Sequence, residues 1–248
     1  MRFTNLDLTQ PGDGVAVIRL AGPVDRKNLL DSSFLQELHG AAAHLRELDG
    51  VKVLVFIGTG RTFSTGADIE EIRDFHDQGV RSFLQTGQAL VRRIMELDCI
   101  TVAAVNGLAL GGGLELALAC DLRWAHRRAV FALPEAKLGL MPGWGGVPLL
   151  GRLVPASFSS EMIAGGDFVS ARKGYEMGLV SRLFEEGDFG SAVLDGARKM
   201  AGMGEKELRA IKGEVRKRRE GVDLSVCDGA FMSLWSERKK GVTARASE

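Results

Sequence analysis

Two nearly unbroken apolar runs, "VKVLVFIG" from Val51 to Gly58 and "ITVAAVNG" from Ile100 to Gly107, limit the folds open to this chain. A strand with one wet face alternates apolar and polar residues. Runs without alternation are expected of strands covered on both faces, the habit of parallel sheets flanked by helices. Each run leads into a glycine-bearing turn and then a helix-like segment: "RTFSTGADIEEI" after the first, "LALGGGLELAL" after the second. One unit thus occurs twice, and the expected class is α/β.

The flanking sequence agrees with that class. "FTNLDL" and "VAVIRL" alternate around "TQPGDG", whose Pro and Gly suit a turn, so a hairpin is expected to open the fold. Asp31 is placed to cap a helix whose Phe34, Leu35, Leu38, Ala41, Ala42, Leu45 and Leu48 share one face. Lys plus Arg and Asp plus Glu both number 32, so no general field draws nucleic acid or an acidic membrane, and an anionic ligand must be held locally. The basic run "KGEVRKRREG" is broken by Glu214 and Glu220 and reads as a solvated helix face. Cys99, Cys120 and Cys227 form no CxxC pair and suit reduced core thiols. The four histidines lack HExxH spacing, and no metal is expected. The opening "MRFTNLDLTQPGDG" has no apolar leader-like run, and no stretch of about 18 apolar residues occurs, so a cytoplasmic protein without membrane spans is the expectation.

The chemistry-bearing residues lie at the glycine turns. A helix start leaves its first N–H groups without intrahelical partners, so a turn into a helix can aim donors at an anion or a polarised carbonyl. Glycine lets a ligand approach that backbone. "LGGGLE" is no dinucleotide fingerprint, because GxGxxG fails at Leu116, and no Gly-Lys-Ser or Gly-Lys-Thr phosphate loop follows. By itself it is equally a tight corner. Glu115 after it, and Glu135 after Pro134 in "FALPEAKLGLMPGWGG", are each explained singly by complementing a helix dipole.

Taken together, "FSTGADIEEI", "AAVNGLALGGGLELALACDLRWA", "VFALPEAKLGLMPGWGG" and, more weakly, "GDFVSARKGYEMGLVSRLF" resemble the enoyl-CoA hydratase/isomerase (crotonase) superfamily in order and spacing. The resemblance implies a spiral of repeated ββα units over residues 1–195, carrying the active site. It implies a helical region over 196–248 that joins subunits into homotrimers or homohexamers. The backbone N–H groups of Ala67 and Gly112 would form an oxyanion hole for a thioester oxygen, with Gly66 and Gly111 beside them at the substrate. Glu135 would be the proton donor to C2 and Glu115 the residue activating water. Ala67, Asp68, Ile69 and Glu70 would line the coenzyme A side, with Asp68 alternatively only a helix cap. Arg26 and Lys27, and Lys239 and Lys240 from the C-terminal helices, would meet the anionic end of coenzyme A. Trp144, with Phe83 or Phe131, would line the acyl pocket, unless these aromatics are plain core.

The implied activity is an enoyl-CoA hydratase, a lyase with no cofactor beyond the coenzyme A of its acyl-CoA substrate. The same scaffold also serves an enoyl-CoA isomerase, a thioester hydrolase, or a silent acyl-CoA-binding subunit. Two glutamates favour hydration, since a silent protein has no chemical need for both. The chain departs from the common hydratase "GGTQRL" with "GGVPLL", where Val147, Pro148 and Leu149 replace three polar residues, and its C-terminal ending follows the family loosely.

Overall fold

The computed structural model describes residues 3–22, 27–45, 48–185, 187–217 and 220–245. An antiparallel hairpin, β1 (Leu6–Gly12) and β2 (Val15–Leu20), opens the chain and turns at Asp13 and Gly14, both at positive φ. After β3 (Leu29–Leu30), Asp31 accepts from the Phe34 N–H at 2.8 Å and starts α1 (Ser32–His44). Phe34, Leu35, Leu38, Ala41 and Ala42 form the buried face of this helix.

Both apolar runs supply wholly buried strands, and these pair in parallel: β4 (Val53–Gly58) and β7 (Ile100–Val105). After β4 come β5 (Thr62–Ser64), β6 (Gly66–Ala67), α2 (Ile69–Arg73) and α3 (Asp77–Met95). After β7 come β8 (Leu108–Leu110) and α4 (Gly112–Ala119). A third unit follows, with β9 (Leu122–His126), β10 (Val130–Ala132) and a 3₁₀ turn at Pro134–Leu138. The chain continues through α5 (Gly146–Gly151), α6 (Ala156–Gly165), β11 (Val169–Ser170), α7 (Ala171–Glu176) and β12 (Arg182–Phe184). It ends with α8 (Phe189–Ala201), α9 (Glu205–Lys217) and α10 (Asp228–Arg245).

The long strand of each unit enters a six-stranded sheet ordered β1-β2-β4-β7-β9-β12, and the short strand enters a second sheet ordered β11-β10-β8-β5. Strands β5, β8 and β10 run in parallel there, and β3 pairs β6 apart from both sheets. This is the α/β architecture of repeated strand and helix units, with a helical C-terminal region. Side chains alternate across the large sheet, so each face carries its own core. One face, with Ile18, Leu54, Phe56 and Ala103, packs on the helices that carry the glycine turns. The other, with Val17, Val55, Val102 and Trp124, is covered by Phe189, Val193 and Ala197 of α8 and Leu208 of α9.

Two local outcomes differ from the sequence reading or refine it. Lys212, in the run read as a solvated face, is buried: its Nζ lies 2.7 Å from Asp121 Oδ2, with side chains 2% and 6% exposed. A buried lysine needs a charge partner, and Asp121 supplies it from the end of the second unit. The substituted segment Val147-Pro148-Leu149 still forms helix, as α5, because Pro148 stands in the first turn, where its missing N–H has no intrahelical acceptor to lose. Among the described residues, no helix is long and apolar enough to cross a membrane.

Candidate active site

The helix-side ends of the three units meet at one cavity of about 80 Å³. Gly66 and Ala67 reach it from the first unit, Gly111, Gly112 and Glu115 from the second, and Glu135 from the third. Gly66 is what lets the first two turns close on each other. Its φ is +92°, and a Cβ there would stand 2.6 Å from Leu110 O and 3.0 Å from Gly112 N. Gly112 is the first residue of α4, so its N–H has no partner within the helix. Every residue of α4 is buried, which points a helix N-terminus into a largely apolar enclosure.

Glu115 is 2% exposed, and its Oε1 accepts N–H bonds from Trp144 at 2.8 Å and Gly146 at 2.7 Å. A carboxylate that only complemented its own helix dipole would face that helix's end. This one is held instead by the loop before α5 and that helix's first residue. Burial pushes Glu115 up to about 7, and the two N–H donors oppose the rise. Glu135 follows Pro134 in the 3₁₀ turn, which closes on Gly139 in the left-handed region at φ +69°. The residue is half-buried, yet its Oε2 is sealed and lacks a hydrogen-bond partner among the described residues. Its Oε1 lies over Gly111, 3.0 Å from where a Cβ would stand. Burial first, and then the charge of Glu115, push Glu135 up to about 8.

Ile69, Phe83 and Trp144 are also on the cavity wall, whereas Phe131 is fully buried core away from it. Asp68 Oδ1 accepts from the N–H groups of Glu70 at 3.0 Å and Glu71 at 3.4 Å, so it caps α2; neither Asp68 nor the exposed Glu70 is on the wall. Lys27 is exposed with φ +50°, and its carbonyl accepts from Thr65. Lys239 donates to Phe75 O at 2.8 Å. Both lie off the wall. Arg26 and the side chain of Lys240 lie outside the described residues.

Sequence reasoning missed the two backbone donors to Glu115 and the contribution of Phe231 from α10 to the wall. It also missed Gln88, whose Nε2 donates to Gly143 O at 2.9 Å and Asp228 Oδ1 at 2.6 Å, joining α3, the Trp144 loop and α10. The glycines of "PGWGG" were the available signal, since Gly145 takes φ +110° there. A wider cleft of about 750 Å³ lies between the end of α3 and α9. Its Arg216 pairs with Asp98 and its Arg209 with Glu205, while burial pushes the Cys99 thiol up to about 11. Among its described residues that cleft has no glycine turn into a helix and no buried carboxyl pair, so volume alone does not mark the reactive site. Among the described residues, no group of three or more His, Cys, Asp or Glu side chains is arranged to hold a metal.

A sequence model described as enoyl-CoA hydratase/isomerase matches residues 10–241. The chain is 38% identical over 195 residues to enoyl-CoA hydratase domain-containing protein 2, mitochondrial, of Mus musculus, Bos taurus and Homo sapiens. That match covers 78% of this chain and 66% of each relative, so the chain spans just under two thirds of their length. It is 30% identical over 250 residues to a crotonyl-CoA hydratase of Syntrophomonas wolfei, covering 98% of this chain and 95% of that one. The crystal structure of an enoyl-CoA hydratase from Bacillus anthracis superposes with a TM-score of 0.84 at 28% identity, covering 97% of this chain and 92% of that one.

These relatives correct the cytoplasmic expectation, because the three mammalian proteins are mitochondrial by name. The features behind that expectation, free thiols and the want of an apolar leader-like or membrane-length run, fit more than one reducing compartment and do not select the cytoplasm. With the family match running nearly end to end, and with repeated units that bring Ala67, Gly112, Glu115 and Glu135 to one cavity, the chain belongs to the enoyl-CoA hydratase/isomerase (crotonase) superfamily, whose enzymes act on acyl-CoA thioesters.

Proposed function

We propose that the protein is an enoyl-CoA hydratase, adding water across the 2,3 double bond of an enoyl-CoA thioester. The observation that supports this most is the unequal pair of buried carboxyls on one cavity. Glu115 is held by two N–H donors that favour its charged form, and Glu135 has a sealed oxygen without a partner. Near neutral pH the pair therefore ionises first at Glu115 and keeps its proton on Glu135. That is the distribution a hydration requires.

In this reading the thioester oxygen sits at the N–H groups of Gly112 and Ala67. Glu115 takes a proton from water as the water oxygen bonds to C3. The double-bond electrons move towards the thioester oxygen, where preset donors stabilise the growing charge, each by about 3 kcal/mol. The enolate then collapses as C2 takes the proton from Glu135. One proton has been gained by Glu115 and one lost by Glu135, so its return across the pair resets the site.

The test is a panel of 2-enoyl-CoA esters, followed by loss of the conjugated thioester absorbance and by product mass. The expected product has gained one water. An isomerase would move the double bond without a change of mass, a hydrolase would release free thiol, and a silent binder would do neither. Absence of water addition with every ester would overturn the proposal.

A further inference from the structure

The indole of Trp144 is seated against the backbones of two helices. A Cβ added at Gly87 in α3 or at Gly112 in α4 would overlap the ring, so both glycines are the floor of its socket. Its outer side meets Phe83, with ring centroids 5.6 Å apart, and Phe83 in turn meets Phe75 at 6.1 Å. Trp144 is 3% exposed, and its backbone N–H holds Glu115. The largest side chain on the cavity wall is thus fixed beside both the oxyanion position and one of the two carboxyls.

We propose that Trp144 is a specificity-determining residue that limits the acyl group to about four carbons, excluding longer chains and aryl groups. This rests on the hydratase reading above and adds the substrate class to it. The apolar part of the wall supplies Ile72, Val80, Leu84, Leu140, Met141 and Phe231, which offer a hydrocarbon chain contact but no polar partner. An apolar cavity of about 150 Å³ accepts one benzene ring. The cavity here, about 80 Å³ and lined by Gly112, Glu115 and Glu135 themselves, therefore has room for roughly half as many carbons in all, which the reacting carbons and one methyl group take up. A chain leaving C3 between Glu115 and Glu135 meets the indole, and the indole cannot retreat into helices whose backbones it already touches. An indole is larger than benzene, so truncating it leaves space for a ring or several more methylenes.

The test measures hydration kcat/KM across straight-chain 2-enoyl-CoA esters from the four-carbon to the twelve-carbon acyl group, and with a cinnamoyl ester, for the wild type, Trp144→Phe and Trp144→Ala. One methylene without room costs about 10- to 200-fold in a tight pocket. The wild type is expected to lose at least about 10² in kcat/KM between four and eight carbons, Trp144→Ala to lose at least tenfold of that discrimination, and Trp144→Phe to fall between. A flat wild-type profile, or a folded Trp144→Ala protein with the wild-type slope, overturns the proposal. If the alanine variant does not fold by circular dichroism, Trp144→Phe decides by the same criterion. Calorimetric binding of saturated butyryl-CoA and dodecanoyl-CoA to wild type and variants separates the two readings. No hydration at any length sinks the hydratase function, whereas equal wild-type affinity for both thioesters sinks the length limit.

Discussion

Glu115 and Glu135 face one cavity with opposite endowments: Glu115 Oε1 takes two backbone N–H bonds, at 2.8 and 2.7 Å, while Glu135 Oε2 is buried with no partner among the described residues. The two N–H donors favour the charged form at Glu115, and no such donor does so at Glu135 Oε2. Burial pushes both upward, to about 7 and about 8, and the Glu115 charge adds to the rise at Glu135. If hydration needs Glu115 ionised and Glu135 protonated, kcat/KM rises with pH through about 7 and falls beyond about 8. The two limbs belong to the pair rather than to either residue. A pH profile of crotonyl-CoA hydration checks this, and a plateau extending down to pH 5 would contradict it.

Glutamine at either position separates chemistry from helix electrostatics. Glu115→Gln keeps an oxygen for the Trp144 and Gly146 donors, and Glu135→Gln keeps the side chain's size. Were the acids only dipole partners, each change would cost at most about 1 kcal/mol of stability and leave turnover intact. As acid and base, each is expected to cost roughly 10² to 10⁴ in kcat with acyl-CoA affinity largely retained. An isomerase would differ, since Glu115→Gln would still move a 3-enoyl double bond into conjugation while Glu135→Gln would not. Full hydration by Glu135→Gln would rule out the mechanism.

The raised carboxyls also tie stability to pH. An unfolded glutamate titrates near 4.3, so between that pH and about 8 the folded protein binds more protons than the unfolded chain. Their contribution is fully present below the unfolded value and is lost as pH rises through the folded ones. Glu135→Gln removes the larger share, because its neutral amide has no charge to bury. Its melting temperature relative to the wild type is expected to climb from pH 5 to pH 9 by at least about 2–4 °C, the equivalent of about 1 kcal/mol. Parallel melting curves for the two proteins across that range would show the carboxyl to be normal.

Much of this site was legible because the signals were local. Unbroken apolar runs foretold β4 and β7, Asp31 foretold the start of α1, and glycines followed by a lone acid marked the turn at Gly112. The third unit was not legible because Arg123 interrupts the pattern of β9. That arginine is buried and satisfied by carbonyls, donating to Leu179 O at 2.7 Å and Cys120 O at 2.9 Å, so its charge does not mark an outward face. The donors to Glu115 were hidden for another reason: backbone N–H groups have no residue type. Lys212 was misread because a helix pattern shows charge but not the Asp121 that meets it across the fold.

Two roles coincide at Gly112. Its N–H opens α4 into the cavity, and its missing side chain leaves space for the Trp144 indole. Gly112→Pro removes the donor and is expected to lower kcat by about 10² or more, with circular dichroism guarding against a disturbed turn. Gly112→Ala keeps the donor but drives a methyl into the ring, so it too should be impaired, through a displaced Trp144 that no longer holds Glu115 in place. Adding Trp144→Ala removes that collision. The double variant Gly112→Ala/Trp144→Ala is therefore expected to be more active than the product of the single losses predicts, by at least about threefold, whereas Gly112→Pro/Trp144→Ala, relieved of the same collision, should still lack the donor and stay about 10² or more below Trp144→Ala. Additive losses in the alanine pair would mean that Gly112 does not serve the site by the space it leaves, and near-normal turnover by a folded Gly112→Pro protein would mean that it does not serve by its N–H.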